Sequence, residues 1–91
     1  MLPVVLRITV ADAAGRPVTL RLEGQLIGPW VAELRRACQE VLHRGRALTL
    51  DLADVSFLDA DAIELVRTLA SHRVAVTNCS PFVAEQLRGR P

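Results

Sequence analysis

The chain has 91 residues, 51% of them hydrophobic and 23% charged, which is material for one small domain, residues 1–91, built around a single core. Eleven basic residues, all of them Arg, face ten acidic ones, leaving a formal net charge of +1. That balance excludes the basic stripe of a nucleic-acid binder, and the missing lysine excludes a Schiff base or a P-loop. Trp30, Phe57 and Phe82 are the only aromatics, too few for a base-stacking platform. No apolar run approaches the ~20 residues of a membrane span. The opening MLPVVLRITV lacks the basic region of a signal peptide, so the expected location is the cytoplasm, without membrane insertion. Cys38 and Cys79 lie outside any CxxC motif and read as small buried hydrophobes.

In chain order, residues 4–10 are rich in β-branched side chains and predict a strand. Gly15 and Pro17 punctuate a turn, after which Val18–Glu23 alternates apolar and polar; the two runs predict an antiparallel hairpin. Gly28-Pro29 opens a helix in which Val31, Leu34, Cys38, Val41 and Leu42 recur at helical spacing. Glu33, Arg36, Glu40 and Arg44 form a solvated stripe of ion pairs, His43 and Arg44 occupy the last turn, and Gly45 ends it. Ala47–Leu52 predicts a central buried strand, followed by a loop. A second helix is expected from Asp61 to His72 and another buried strand over Arg73–Thr77. Ser80-Pro81 is an N-cap and first-turn pair for a last helix reaching Arg88. The order β-β-α-β-α-β-α defines an α/β fold with a mixed four-stranded sheet and its helices packed mainly on one face.

The stretch Leu50–Val66, LDLADVSFLDADAIELV, runs from strand to helix. Asp51, Val55, Ser56, Phe57, Asp59 and Ile63 in it match a known pattern: a strand ending in Asp, a V-S/T-F/Y turn, then Asp-Ser-Ser/Thr-Gly at a helix start. On these residues the chain resembles the STAS domain, the family of sulfate transporters and anti-sigma factor antagonists. Val18–Gly24, Leu34 and Phe82–Leu87 extend the resemblance over most of the sequence. The resemblance implies a non-enzymatic bacterial module for protein–protein regulation, whose partner surface is the loop before the second helix and that helix itself. Asp59, Ala60, Asp61, Ala62, Glu64 and Leu65 are the candidate partner-surface residues. Ile63 and Leu65 flank the apolar arc of this helix, and one of them is expected to be partly exposed.

The departures from the family pattern fall at one turn. Asp61 stands where switchable anti-sigma factor antagonists carry the phosphorylated Ser or Thr, and Ala62 replaces the glycine after it. Asp61 offers a fixed charge of about −1 where phosphoserine would bring about −1.5 to −2. One reading is a protein held in a phospho-like state. The other is local: Asp61-Ala62-Ile63-Glu64 has capping-box spacing, with Asp61 as the helix cap. Ser56, the one hydroxyl in the segment, is a weaker phosphosite candidate and is expected to bond nearby backbone.

Nothing in the sequence assembles an active site. The acidic run Asp51, Asp54, Asp59, Asp61 and Glu64 follows no calcium-loop spacing, and His43 and His72 have no ligand partners at metal spacing, so neither metal nor cofactor is expected. The serines lie in no G-x-S-x-G context. The expected partner is a kinase-type anti-sigma factor or another signalling protein. The alternatives are a small STAS subunit docked on the ATPase of a lipid-type ABC transporter, or a scaffold member of a STAS assembly; a homo-oligomer is compatible with each.

Overall fold

The structure, a computed structural model, describes residues 5–89. Its elements are β1 (Leu6–Ala11), β2 (Val18–Leu26), α1 (Pro29–His43), β3 (Leu48–Leu58), α2 (Ala60–Ser71), β4 (Ala75–Thr77) and α3 (Pro81–Arg88). The strands form one mixed sheet in the order β1-β2-β3-β4, antiparallel between β1 and β2 and parallel elsewhere. The expected α/β architecture is the observed one. Of the first predicted strand, Val4 lies outside the described residues.

Alternation along the strands separates the two faces of the sheet. Leu20, Leu22, Leu50 and Leu52 point to one face and are buried, together with Val31, Leu34 and Cys38 of α1 and Val66 and Leu69 of α2. The opposite face is polar and open. Across it Thr9 lies beside Arg21, Arg21 beside Asp51, and Asp51 beside Thr77. A half-covered sheet of this kind gives the in–out alternation that makes β2 legible from sequence.

β3 departs from that rule. Its buried residues after Leu50 are Leu52, Val55 and Leu58, a spacing of three. The register with β2 shifts twice, once between Arg21 and Glu23 and once between Gly24 and Gln25, each shift adding one residue to β3. Each extra residue restores the next apolar side chain to the core face. The first bulge is stabilised by Asp51, whose carboxylate accepts from the Ala53 N–H at 3.0 Å and from the Asn78 side-chain amide at 3.2 Å. Asn78 turns the chain there with a left-handed φ of 62°. The stretch expected to be a loop after Leu52 is therefore strand through Leu58. The strand expected over Arg73–Thr77 is shorter and less buried than its apolar sequence implies. Arg73 adopts a φ of 70° to turn the chain, and only Ala75–Thr77 pair, at the sheet edge.

Two tertiary clips fix the hairpin and the sheet. Arg46 donates to the Asp12 carboxylate and to the Arg16 carbonyl, both at 2.9 Å, tying the β1–β2 turn to the entrance of β3. Gly24, with φ 114°, lies against the chain entering β1: the Gln25 N–H donates to the Val5 carbonyl at 2.9 Å, and a Cβ on Gly24 would collide with that same oxygen. On α1 the expected ion pairs form as Glu33–Arg36 at 3.3 Å and Glu40–Arg44 at 4.0 Å. Both are exposed, so each contributes at most a few tenths of a kcal/mol, roughly.

Two measurements follow from this architecture. Gly24→Ala is expected to lower unfolding free energy by about 3 kcal/mol in urea titration, through backbone strain plus collision with Val5. The hydrogen bond from Ala53, followed by that from Asn78, holds the Asp51 carboxyl below the usual carboxylate range. The carboxylate is therefore more stabilised in the folded chain than in the unfolded one. Its contribution is complete above about pH 4, the unfolded value, and is lost as pH falls through the lower folded value. Asp51→Asn is expected to flatten the acid limb of stability below about pH 4 while leaving its slope near neutrality unchanged.

Candidate functional site

The ends of the parallel strands β2 and β3 deliver the starts of α1 and α2 to one place. Each helix start leaves backbone N–H groups without partners inside the helix. Asp59, the residue between β3 and α2, serves both. One carboxylate oxygen accepts from the Ala62 N–H at 2.9 Å, making Asp59 the N-cap of α2. The other accepts from the Gly28 N–H at 2.8 Å, across the gap to the residue that precedes α1. Gly28 has φ 55°, in the left-handed region, which presents its N–H to Asp59 and suits glycine. The Asp59 N–H closes the same junction by donating to the Leu26 carbonyl at 3.2 Å.

This corrects the capping assignment read from spacing. Asp61 does not cap α2; it lies in the first turn, after Ala60, and is exposed. The spacing from Asp61 to Glu64 is that of a capping box, but the helix starts one residue earlier because β3 runs on to Leu58. Asp61 still sits at the positive end of the helix, where a carboxylate contributes about 0.3–1 kcal/mol.

The candidate surface residues divide by burial. Ala60, Asp61 and Glu64 are exposed and Asp59 is half-buried. Ala62 and Leu65, also expected at the surface, are core residues, 0% and 6% exposed. Between the two edges of the apolar arc, the core takes Leu65, and Ile63 is left half-covered beside the acidic residues. Ser56 is exposed and its hydroxyl donates to the Gly24 carbonyl at 3.4 Å, a backbone bond as expected. Trp30, in the first turn of α1, packs partly against the core.

An open groove of about 420 Å³ runs between α2 and α3, walled by Ala60, Ile63, Glu64 and Arg67 on one side and Gln86 on the other. Two of its residues escaped sequence reasoning. Gln86 donates its side-chain amide to the Leu58 carbonyl at 2.9 Å and accepts from the Leu58 N–H at 3.0 Å. Arg67 donates through Nε to the Leu87 carbonyl at 2.8 Å, and its guanidinium lies over Gly89. Neither residue belongs to a local motif, since each partner is about twenty residues away or more.

Among the described residues no polar or charged side chain is fully buried, and no cluster of His, Cys, Asp and Glu is disposed to hold a metal ion. Burial pushes the Cys38 thiol up to about 11, which keeps it protonated and unreactive near neutrality. No helix among the described residues is long and apolar enough to cross a membrane.

A half-covered mixed sheet with helices on its other face and an exposed acidic turn at the strand ends defines a small α/β module of β-β-α-β-α-β-α order. The family model described as Mlab, STAS domain, matches residues 9–88, and the chain belongs to the STAS family. No curated protein matches the chain. Domains of this family are generally interaction or regulatory modules rather than enzymes.

The two aspartates have separable roles. Asp59→Ala removes both of its bonds and is expected to cost about 2–4 kcal/mol in denaturant unfolding. Asp61→Ala is expected to stay within about 1 kcal/mol of the parent.

Proposed function

We propose that this chain is a constitutive protein-docking module of the cytoplasm, without catalytic activity, which holds its partner through the start of α2. The supporting observation is the chemistry of that turn. By the resemblance Asp61 stands where the family's switchable members are phosphorylated, and no hydroxyl lies between Ser56 and Thr68. A phosphoryl switch has no acceptor there. Both oxygens of Asp59 are engaged by backbone, so the negative charge presented to a partner comes from Asp61 and Glu64. Ala60 and the exposed edge of Ile63 supply the apolar part of the same surface.

The resemblance to anti-sigma factor antagonists gives the first partner class, a kinase-type anti-sigma factor or related signalling protein. For such a partner Asp61 fixes the module in one charge state. A second class, the ATPase of a lipid-type ABC transporter, is favoured by the same missing hydroxyl, because a permanent subunit needs no release step.

Affinity purification from the native host, with partners identified by mass spectrometry and the recovered pair then titrated, separates these readings. A signalling kinase supports the first class and a transporter ATPase the second. With either partner, Asp61→Ala is expected to weaken binding at least tenfold, about 1.4 kcal/mol of affinity, while costing at most about 1 kcal/mol of folding stability. Unchanged affinity for both Asp61→Ala and Glu64→Ala contradicts the docking surface.

A further inference from the structure

β4 pairs with β3 only over Thr49–Asp51, so the second half of β3 has no neighbouring strand on that side. α3 lies there instead. A residue of a parallel strand turns its N–H and C=O to the same neighbour. The Gln86 side chain meets both groups of Leu58, donating to one and accepting from the other, so a side-chain amide replaces the missing strand's peptide group. α3 is short: among the described residues its fully buried side chain is Val83, with Leu87 partly covered, and Arg67 adds a long-range bond to the Leu87 carbonyl. Phe82, 56% exposed, stacks loosely on Phe57 of β3, 40% exposed, with ring centroids 6.3 Å apart. Eight residues are too few to hold a helix in isolation.

We propose that α3 is a latched flap over the open edge of β3, with Gln86 as the latch, and that it lifts as a unit while the four-stranded core stays folded. Lifting bares the Leu58 backbone and the side of Phe57 that faces Phe82, next in sequence to the Asp59–Asp61 turn. The inference goes beyond the docking proposal and stands without it, because the motion is a property of the chain alone.

Native-state hydrogen exchange on the full chain tests it, with the Leu58 amide as reporter because its proton is held by Gln86. In the parent, the Leu58 amide and those of α3 are expected to exchange with one shared opening, at least tenfold faster than the amides of Leu20 and Leu50. Gln86→Leu is expected to speed the Leu58 and α3 amides at least tenfold. Val41→Ala, in the last turn of α1, supplies the discriminating arm. It weakens a core common to the closed and lifted states, so Leu20 and Leu50 exchange at least tenfold faster while Leu58 and α3 change less than twofold. If Leu58 and α3 instead speed up in step with Leu20 and Leu50 in Val41→Ala, α3 opens only by global unfolding and the proposal is overturned.

Discussion

One carboxylate holds together the end of the molecule on which the proposed function depends. Asp59 accepts from the Ala62 N–H at 2.9 Å and from the Gly28 N–H at 2.8 Å, so a single side chain serves the starts of α1 and α2. Hydrogen bonds to an ionised acceptor are stronger than those between neutral groups. Parallel pairing of β2 with β3 is what makes the arrangement available, because it brings both strand ends, and the helix starts that follow them, to the same edge. The left-handed Gly28 and the extended backbone of Asp59 are the local conformations that complete it.

That engagement divides labour among the acidic residues. Asp59 is spent on the scaffold. Asp51 and Asp54 are spent on the open sheet face, where Asp51 shapes the β3 bulge and Asp54 pairs with Arg21 at 3.0 Å. Asp61 and Glu64 are left facing outward on the first turns of α2. The near-zero net charge of the chain conceals this local excess, since no arginine lies between Asp51 and Glu64.

Much of this was legible in the sequence, because periodicity reports burial directly. Val18–Glu23 alternates and is half-buried strand, and the stripe from Val31 to Val41 is the buried face of α1. Ser80-Pro81 caps α3 as its residue types predict, the Ser80 hydroxyl accepting from the Val83 N–H at 3.2 Å. Failure came where a tertiary effect replaced a local one. β3 buries Leu52, Val55 and Leu58 at a spacing of three, which matches neither a plain strand nor a helix, because two bulges intervene. Ending that strand early moved the expected helix start to Asp61 and gave it the cap that belongs to Asp59. Leu65 is buried and Ile63 half-covered because α2 packs against both the sheet and its neighbouring helices, widening the covered arc beyond one stripe. Gln86 had no sequence signal at all: its partner is Leu58, across the chain, and the gap it fills exists only because β4 is short.

The central claim, that one carboxylate serves two helix starts, is tested most directly by the backbone amide spectrum of Asp59→Asn. Asparagine keeps one acceptor oxygen and replaces the other with a donor. Of the Gly28 and Ala62 amide protons, one is expected to keep its downfield shift while the other moves upfield and loses its partner. Unchanged resonances for both amides would contradict it.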